Sequence, residues 1–462
     1  MIVFKLIAVV TLAVGYVIAS PHPIDGIWRS DGWGFVYKIS VADLQAFEIT
    51  STTCVLGVKA TRLSREAPGH EASFRARNGD MLYIVAGGDD DHKRIERPAG
   101  LTSIVLSRLS ALPDVCTPPT ANTPLGNFDV FAQTFAEHYI SFDLRHIDWD
   151  RIVTQQRKRI TPRTTPTQLF EILKAMLEPL TDIHTGLEAP KIKRNFDAPL
   201  RPGTDRVVGS NIDRFAKAGR RELAAITNHA YFHGLLLSFC RGQWQYGLTE
   251  SGVGYLRILQ FGDYSRESGF EHDLRALNRA LDRILGNPKL RGLVIDVRLS
   301  FGGDDRLGLA IAARLTTRDY MTYSIQARSD PVIRSSYTPL QPVMVRPGYQ
   351  PIFGGPAVEL TGPITMSAAE TFTQALMGRT PCVTRIGENT QGVFCDVLDR
   401  HLPNGWSFGL PNAVYRTPTA GRLMSRVFRL TSLYRSSQTM TLLPVAIQQC
   451  PRLCSCSQQD RI

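Results

Sequence analysis

Beyond its first twenty residues this chain has no apolar run long enough to cross a membrane and no internal repeat, which argues against a multi-span membrane protein and a solenoid. It is also short of clustered positive charge. The formal net charge is +11, but seven Arg against one Asp fall between Arg416 and the C-terminus, so that stretch alone supplies six of the excess. Elsewhere the two signs are interspersed and no basic stripe carries aromatics, so nucleic-acid binding is not expected. Cysteine is scarce, with eight in 462 residues. Cys450, Cys454 and Cys456 lack the matching His or second Cys pair of a zinc site, and the acidic run "GGDDDHKR" has no calcium-loop spacing. No metal or organic cofactor is therefore expected. What is present is ordinary globular composition, 43% hydrophobic and 21% charged, enough for two or three domains with buried cores.

The opening "MIVFKLIAVVTLAVGYVIAS" places one Lys before an apolar run and ends in a small-residue site, so residues 1–19 read as a cleaved secretory signal rather than a stable membrane anchor. A secreted, extracellular protein is expected. Secretion makes disulfides admissible, with Cys54–Cys116 and Cys382–Cys395 as the plausible pairs. Short runs rich in aromatic and β-branched residues, such as "GIWRSDGWGFVYKIS" and "ASFRARNGDMLYIVAG", predict a small antiparallel β domain over 24–112. A Pro- and Thr-rich linker spans 113–126, and residues 127–250 read as a helical region. In it Phe128, Phe131, Phe135, Tyr139 and Phe142 recur at intervals of three and four, a core stripe rather than a ligand box. Thr-Pro-Thr-Gln from Thr165 announces a second helix with a capping box. From about Gly252 strands and helices alternate through 251–415, and "RGLVIDVR" has the continuous apolar character of a strand buried on both faces. The fold class expected is α/β, or α+β overall, with a mixed sheet at its centre.

Ser367, in "TGPITMSAAETFTQALMG", heads one of the alternating helices. A serine nucleophile needs a base and hydrogen-bond donors for the oxyanion, and a helix N-terminus offers free amides, that of Ala368 first. The turn Gly302-Gly303 after "LVIDVRLSF" could supply a second donor, because residues without Cβ let the backbone approach a substrate. The competing reading is structural. Ser367 to Glu370 spells S-x-x-E, a capping box in which the hydroxyl caps the helix and Glu370 reaches back. Gly302-Gly303 alone is an ordinary turn, and His184, which falls at a helix end or in a loop, is by itself an ordinary polar residue.

The order of four segments decides between them. "LTDIHTGL", "LRGLVIDVRLSFGG", "VELTGPITMSAAETFTQAL" and "RIGENTQGVFCDVLDRHLPNGWSFGLPNAVY" resemble, in sequence and spacing, the tail-specific or C-terminal processing proteases, over roughly Asn127 to Tyr415. The match is closer to the tricorn-like branch, whose base is histidine, than to the Ser-Lys branch, whose Lys is missing near Val393. The resemblance implies a ClpP/crotonase-like core, Ser367 as nucleophile, His184 as general base, and the amides of Ala368 and Gly302 or Gly303 as the oxyanion hole. It implies a peptide or protein substrate. No PDZ-type carboxylate-binding loop is visible between Leu187 and Gly252, so recognition of substrate C-termini is not implied.

One departure bears on activity. Where the tricorn-like branch supplies an acidic residue, this chain reads "TAGRLMSRVFRL", with Ser425 near that position. Losing the orienting acid of a serine triad costs about 10⁴ in turnover. Asp182 and Glu388 are the candidate substitutes. The composition of 416–462 changes so abruptly after about Gly421 that a shifted frame or splice junction is expected there, which transcript sequencing would refute by an intact match. The leading reading is a secreted serine peptidase. A catalytically inactive homologue that binds peptide or ligand, and an unrelated secreted binding protein, are the alternatives.

Overall fold

Eight short strands between Gly26 and Leu109 pair in sequence order, and Ile27–Ser30 closes onto Leu106–Leu109, so the N-terminal part is a closed antiparallel barrel with no free edge. The computed structural model describes residues 24–64, 70–77, 81–86, 91–97, 100–202, 204, 232, 236–419, 421–423 and 432–433. The signal at 1–19, residues 87–90 of the acidic run, much of the middle of the stretch searched for a PDZ-type loop, Ser425, and Cys450, Cys454 and Cys456 lie outside these residues. Alternation along the barrel strands turns Trp28, Leu44, Phe74, Ile84, Ile95 and Ile104 inward, all essentially inaccessible to solvent. The Cys54–Cys116 disulfide forms as expected and ties the barrel to the chain leaving it.

A helix over Pro124–His138 begins three residues earlier than the linker boundary, because Pro124 fits the first helical position and Thr123 caps Gly126 N. Its aromatic stripe is core: Phe128, Phe131, Phe135, Tyr139 and Phe142 are all buried, and the rings of Phe131 and Phe135 stack against Phe408 from the far end of the chain. The Pro166–Leu177 helix carries the expected capping box between Thr165 and Gln168. The region expected to be helical to residue 250 is only partly so among the described residues. Strands Gly186–Ala189, Arg194–Asp197, Leu237–Phe239 and Trp244–Leu248 lie in it; the last three pair with neighbours in sequence, while Gly186–Ala189 is also held by Ser407–Pro411, a partner that no local pattern reveals.

The central sheet runs Leu237–Phe239, Trp244–Leu248, Val253–Ile258, Gly292–Asp296, Ala357–Thr361, Val383–Gly387, Ser432–Leu433, with every pairing from Val253 onward parallel. Gly292–Asp296 and Ala357–Thr361 are buried at every position. Leu293 and Ile295 face the Phe270–Leu285 and Ala368–Met377 helices, while Val294 packs on the other side with Tyr255, Val358 and Leu360. The mixed sheet and α/β class expected from sequence are thus the observed ones. A second, four-stranded sheet has the order Arg194–Asp197, Gly186–Ala189, Ser407–Pro411, Val397–His401.

Candidate active site

Adjacent parallel strands release their loops at the same edge of a sheet, which is where α/β folds place ligands. Gly292–Asp296 and Ala357–Thr361 are such neighbours, in the register Asp296↔Leu360. The first runs into Gly302-Gly303 and the second into Ser367. A Cβ on Gly302 would lie 2.7 Å from Ser367 Cβ and 2.8 Å from Ala368 N, so the turn is pressed against the head of the Ser367 helix. Thr365 fixes the approach of this loop: its hydroxyl donates to Val297 O at 2.8 Å and accepts from Gly362 N at 3.0 Å.

Gly303 points its constraint elsewhere. Its φ of +135° and the close approach of its Cα to Phe261 O lock a short parallel bridge between Phe261 and Gly303. Phe261 N donates to Gly302 O and Asp304 N to Phe261 O. Of the two glycines, Gly302 therefore abuts the serine and Gly303 anchors the turn. Among the described residues, the amides of Ala368, Gly302 and Gly303 have no backbone acceptor, leaving all three available as donors.

The capping-box reading of Ser367 is overturned in its main half. Ser367 occupies the N-cap position of the Ala368–Met377 helix but its side chain makes no capping hydrogen bond. Its backbone sits at φ 54°, ψ −126°, a region that costs a non-glycine residue about 1–3 kcal/mol and persists only where the surroundings impose it. A residue selected as a cap adopts extended backbone instead, as Thr165 does at φ −73°, ψ 160°.

Glu370, the other half of that motif, is wholly buried; it reaches back to the Ser367 amide and also accepts Gly392 N at 2.6 Å and Val393 N at 2.8 Å from beyond the next strand. Burial pushes its carboxyl up to about 7 against the opposing pull of Thr390 and the Gly392, Val393 and Ser367 amides. With the folded value above the ordinary one of 4.5, this group's contribution to stability is full below about pH 4.5 and lost as pH rises through about 7. Glu370→Gln should remove that part of the decline in thermal midpoint between pH 4.5 and 7.5. A profile parallel to wild type would show that another group titrates.

His184 lies in the loop between the Pro166–Leu177 helix and strand Gly186–Ala189, half-buried. Asp182 lies close enough to favour the charged ring but makes no hydrogen bond to it. Asp182 is completely buried, pairs with Arg145 at 3.1 Å, accepts the Tyr139 hydroxyl at 2.8 Å and receives the backbone amide of His184 at 3.3 Å. Its role is to pin the loop. Glu388 is exposed, and its backbone rather than its carboxylate bonds Thr361. Neither candidate acid is hydrogen-bonded to the His184 imidazole.

The group that meets it is one the sequence reading assigned to a disulfide. Cys395 is not bridged to Cys382; it forms no disulfide, and its Sγ lies 3.1 Å from His184 Nδ1. The physical reason is topological: Cys395 precedes strand Val397–His401, which draws it into the four-stranded sheet, while Cys382 precedes Val383–Gly387 in the central one. Burial holds the Cys395 thiol well above its usual range, so it is uncharged, and lowers His184 against the opposing effects of Asp182 and Asp396.

The segment 392–395 links the two halves of the site. Its amides at Gly392 and Val393 hold Glu370 on the Ser367 helix, and its Cys395 meets His184. Val393 also packs with Met366 and with Ile183, the immediate neighbours of Ser367 and His184. No hydrogen bond joins His184 to Ser367 among the described residues.

Two comparisons bear on this arrangement. The family model of peptidase family S41 matches residues 252–427. Among solved structures, a candidate peptidase from Parabacteroides merdae ATCC 43184 is 19% identical with a TM-score of 0.53, the match covering 74% of this chain and 100% of the other. Mature CPAF, solved in complex with lactacystin, is 11% identical with a TM-score of 0.50, covering 72% and 99%. At these identities the structural likeness is one of fold. No curated protein matches the chain.

Proposed function

We propose that this chain, whose residues 252–427 match the model of peptidase family S41, is a serine-type peptidase of that family and hydrolyses peptide bonds through an acyl-enzyme at Ser367, with His184 as general base. The observation that carries the reading is the Ser367 backbone: uncapped, at positive φ, and pressed against Gly302 at a helix N-terminus. Ser367 Oγ bonds to the substrate carbonyl carbon as its proton passes to the imidazole, and the carbonyl π pair moves onto oxygen. The amides of Ala368 and Gly302 face that developing charge. Collapse of the tetrahedral species breaks the C–N bond, and the imidazolium returns its proton to the leaving amine.

Peptide or protein substrates follow from the family. We also place the protein outside the cell, a reading supported by the Cys54–Cys116 disulfide together with the N-terminal apolar segment. A second reading, an inactive homologue that binds peptide, is favoured by one observation: an uncharged thiol, not a carboxylate, faces His184 Nδ1. A fluorophosphonate probe separates the two. The peptidase reading expects one covalent adduct, mapped by mass spectrometry to Ser367; intact protein without adduct would support the inactive homologue.

A further inference from the structure

The imidazole of a serine peptidase must present a lone pair at Nε2 to the nucleophile, which requires the ring proton on Nδ1 and something to hold it there. Neither acid expected from the sequence occupies that position. We infer that Cys395 is the positioning residue of this site: its sulfur accepts Nδ1–H of His184, fixes the ring and its tautomer, and stands where other serine triads place a carboxylate. The inference rests on the peptidase reading of Ser367 and His184.

The fold supplies this contact by register. His184 lies two residues before Gly186–Ala189 and Cys395 two residues before Val397–His401. Both strands pair antiparallel with Ser407–Pro411, one on each side, so they run parallel to each other and enter the sheet at the same end. Between them lies Gly409, where a Cβ would fall 2.6 Å from Val397 Cγ1 and 3.8 Å from His184 O. The Nδ1 to Sγ separation is 3.1 Å. Cys395 is itself held, because the amides two and three residues before it are bound by buried Glu370 of the nucleophile helix.

A thiol performs half of an acid's task. A sulfur acceptor orients the ring but, being neutral, gives little to the imidazolium that forms when Ser367 surrenders its proton. The charged groups that face His184 are Asp182 and Arg145, already paired with each other, and Asp396 beside Cys395. Burial lowers the His184 ionisation below that of a free histidine, and a neutral sulfur does not oppose it as a carboxylate would, which costs turnover.

The test follows the His184 ring nitrogens by ¹⁵N NMR in histidine-labelled full-length protein, assigned with His184→Asn, and the rate of fluorophosphonate labelling against pH. In wild type the neutral ring should carry its proton on Nδ1. Cys395→Ala should lose that single tautomer and slow labelling at least about tenfold. Cys395→Ser, which keeps a small acceptor, should restore both to within a few-fold and guards against a folding defect in the Ala variant. Cys395→Asp should shift the acid limb of the labelling profile to higher pH, because a carboxylate favours the imidazolium, and should label faster than wild type above that limb. Cys395→Ala with an unchanged tautomer and an unchanged acid limb overturns the inference even if Ser367 labels normally. A wild type that shows the Nδ1 tautomer, lost in Cys395→Ala, but takes up no probe upholds the positioning contact and removes the peptidase reading.

Discussion

Replacing Ser367 by Ala should abolish covalent labelling completely and leave chemical stability within about 0.5 kcal/mol of wild type. The two halves of that expectation have separate physical origins. Labelling requires the hydroxyl oxygen itself, since nothing else at the head of the Ala368–Met377 helix can attack an electrophile. Stability is spared because the hydroxyl makes no capping bond; a working cap would cost about 0.5–2 kcal/mol on removal. The backbone gives a third arm. Ser367→Gly keeps the site silent while relieving a φ of 54°, so it should be more stable than the Ala variant by about 1 kcal/mol or more. Urea unfolding of the three proteins reads these values directly. An Ala variant that loses the full capping energy, or that still labels at the wild-type rate, would return Ser367 to a purely structural role.

Gly302→Ala should sharply reduce covalent labelling at Ser367. Its Cβ would fall 2.6 Å from Met366 O, 2.7 Å from Ser367 Cβ and 2.8 Å from Ala368 N, and these are backbone or near-backbone atoms that cannot rotate away. The residue also sits at φ +86°, which costs alanine a further 1–2 kcal/mol or so. Relief must come from parting the glycine turn and the serine helix, the two elements whose amides would stabilise the oxyanion. Labelling should fall by about 10² to 10³, the usual effect of a lost oxyanion donor, with a drop in the unfolding midpoint. Gly303→Ala is the control: its clash, 2.2 Å to Phe261 O, lies away from Ser367. It should destabilise the turn while the folded fraction keeps more of its labelling rate. Equal loss in both would mean that the turn acts only as a scaffold.

These two residues mark how far sequence reading extends. Periodicity identified the Phe128 to Phe142 stripe as core and the capping signal at Thr165 as a helix start, because both depend on neighbours three and four positions apart. The buried strand "GLVID" was legible from the apolar run around it, and "AVELT" from the alternation of strands and helices. Ser-Ala-Ala-Glu was ambiguous, since the same four letters serve a capping box or a nucleophile whose glutamate also works elsewhere. Only the path of the chain from Thr390 to Cys395, which brings backbone amides onto Glu370, resolves it.

Cys395 shows the opposite case. By spacing it was a partner for Cys382, thirteen residues away, but the two thiols precede strands of different sheets. Asp182, nearest to His184 in sequence, was the natural acid to choose; it is consumed by Arg145 and Tyr139, from positions 37 and 43 residues earlier. Local order along the chain was therefore enough to determine the sheet core, the barrel strands, and Ser367 at the head of its helix, because each is written in contacts a few residues apart. Which atoms face His184, which glycine abuts the serine, and whether the hydroxyl caps or stays free were decided only by tertiary structure, because strand register brings together groups that the sequence holds about two hundred residues apart.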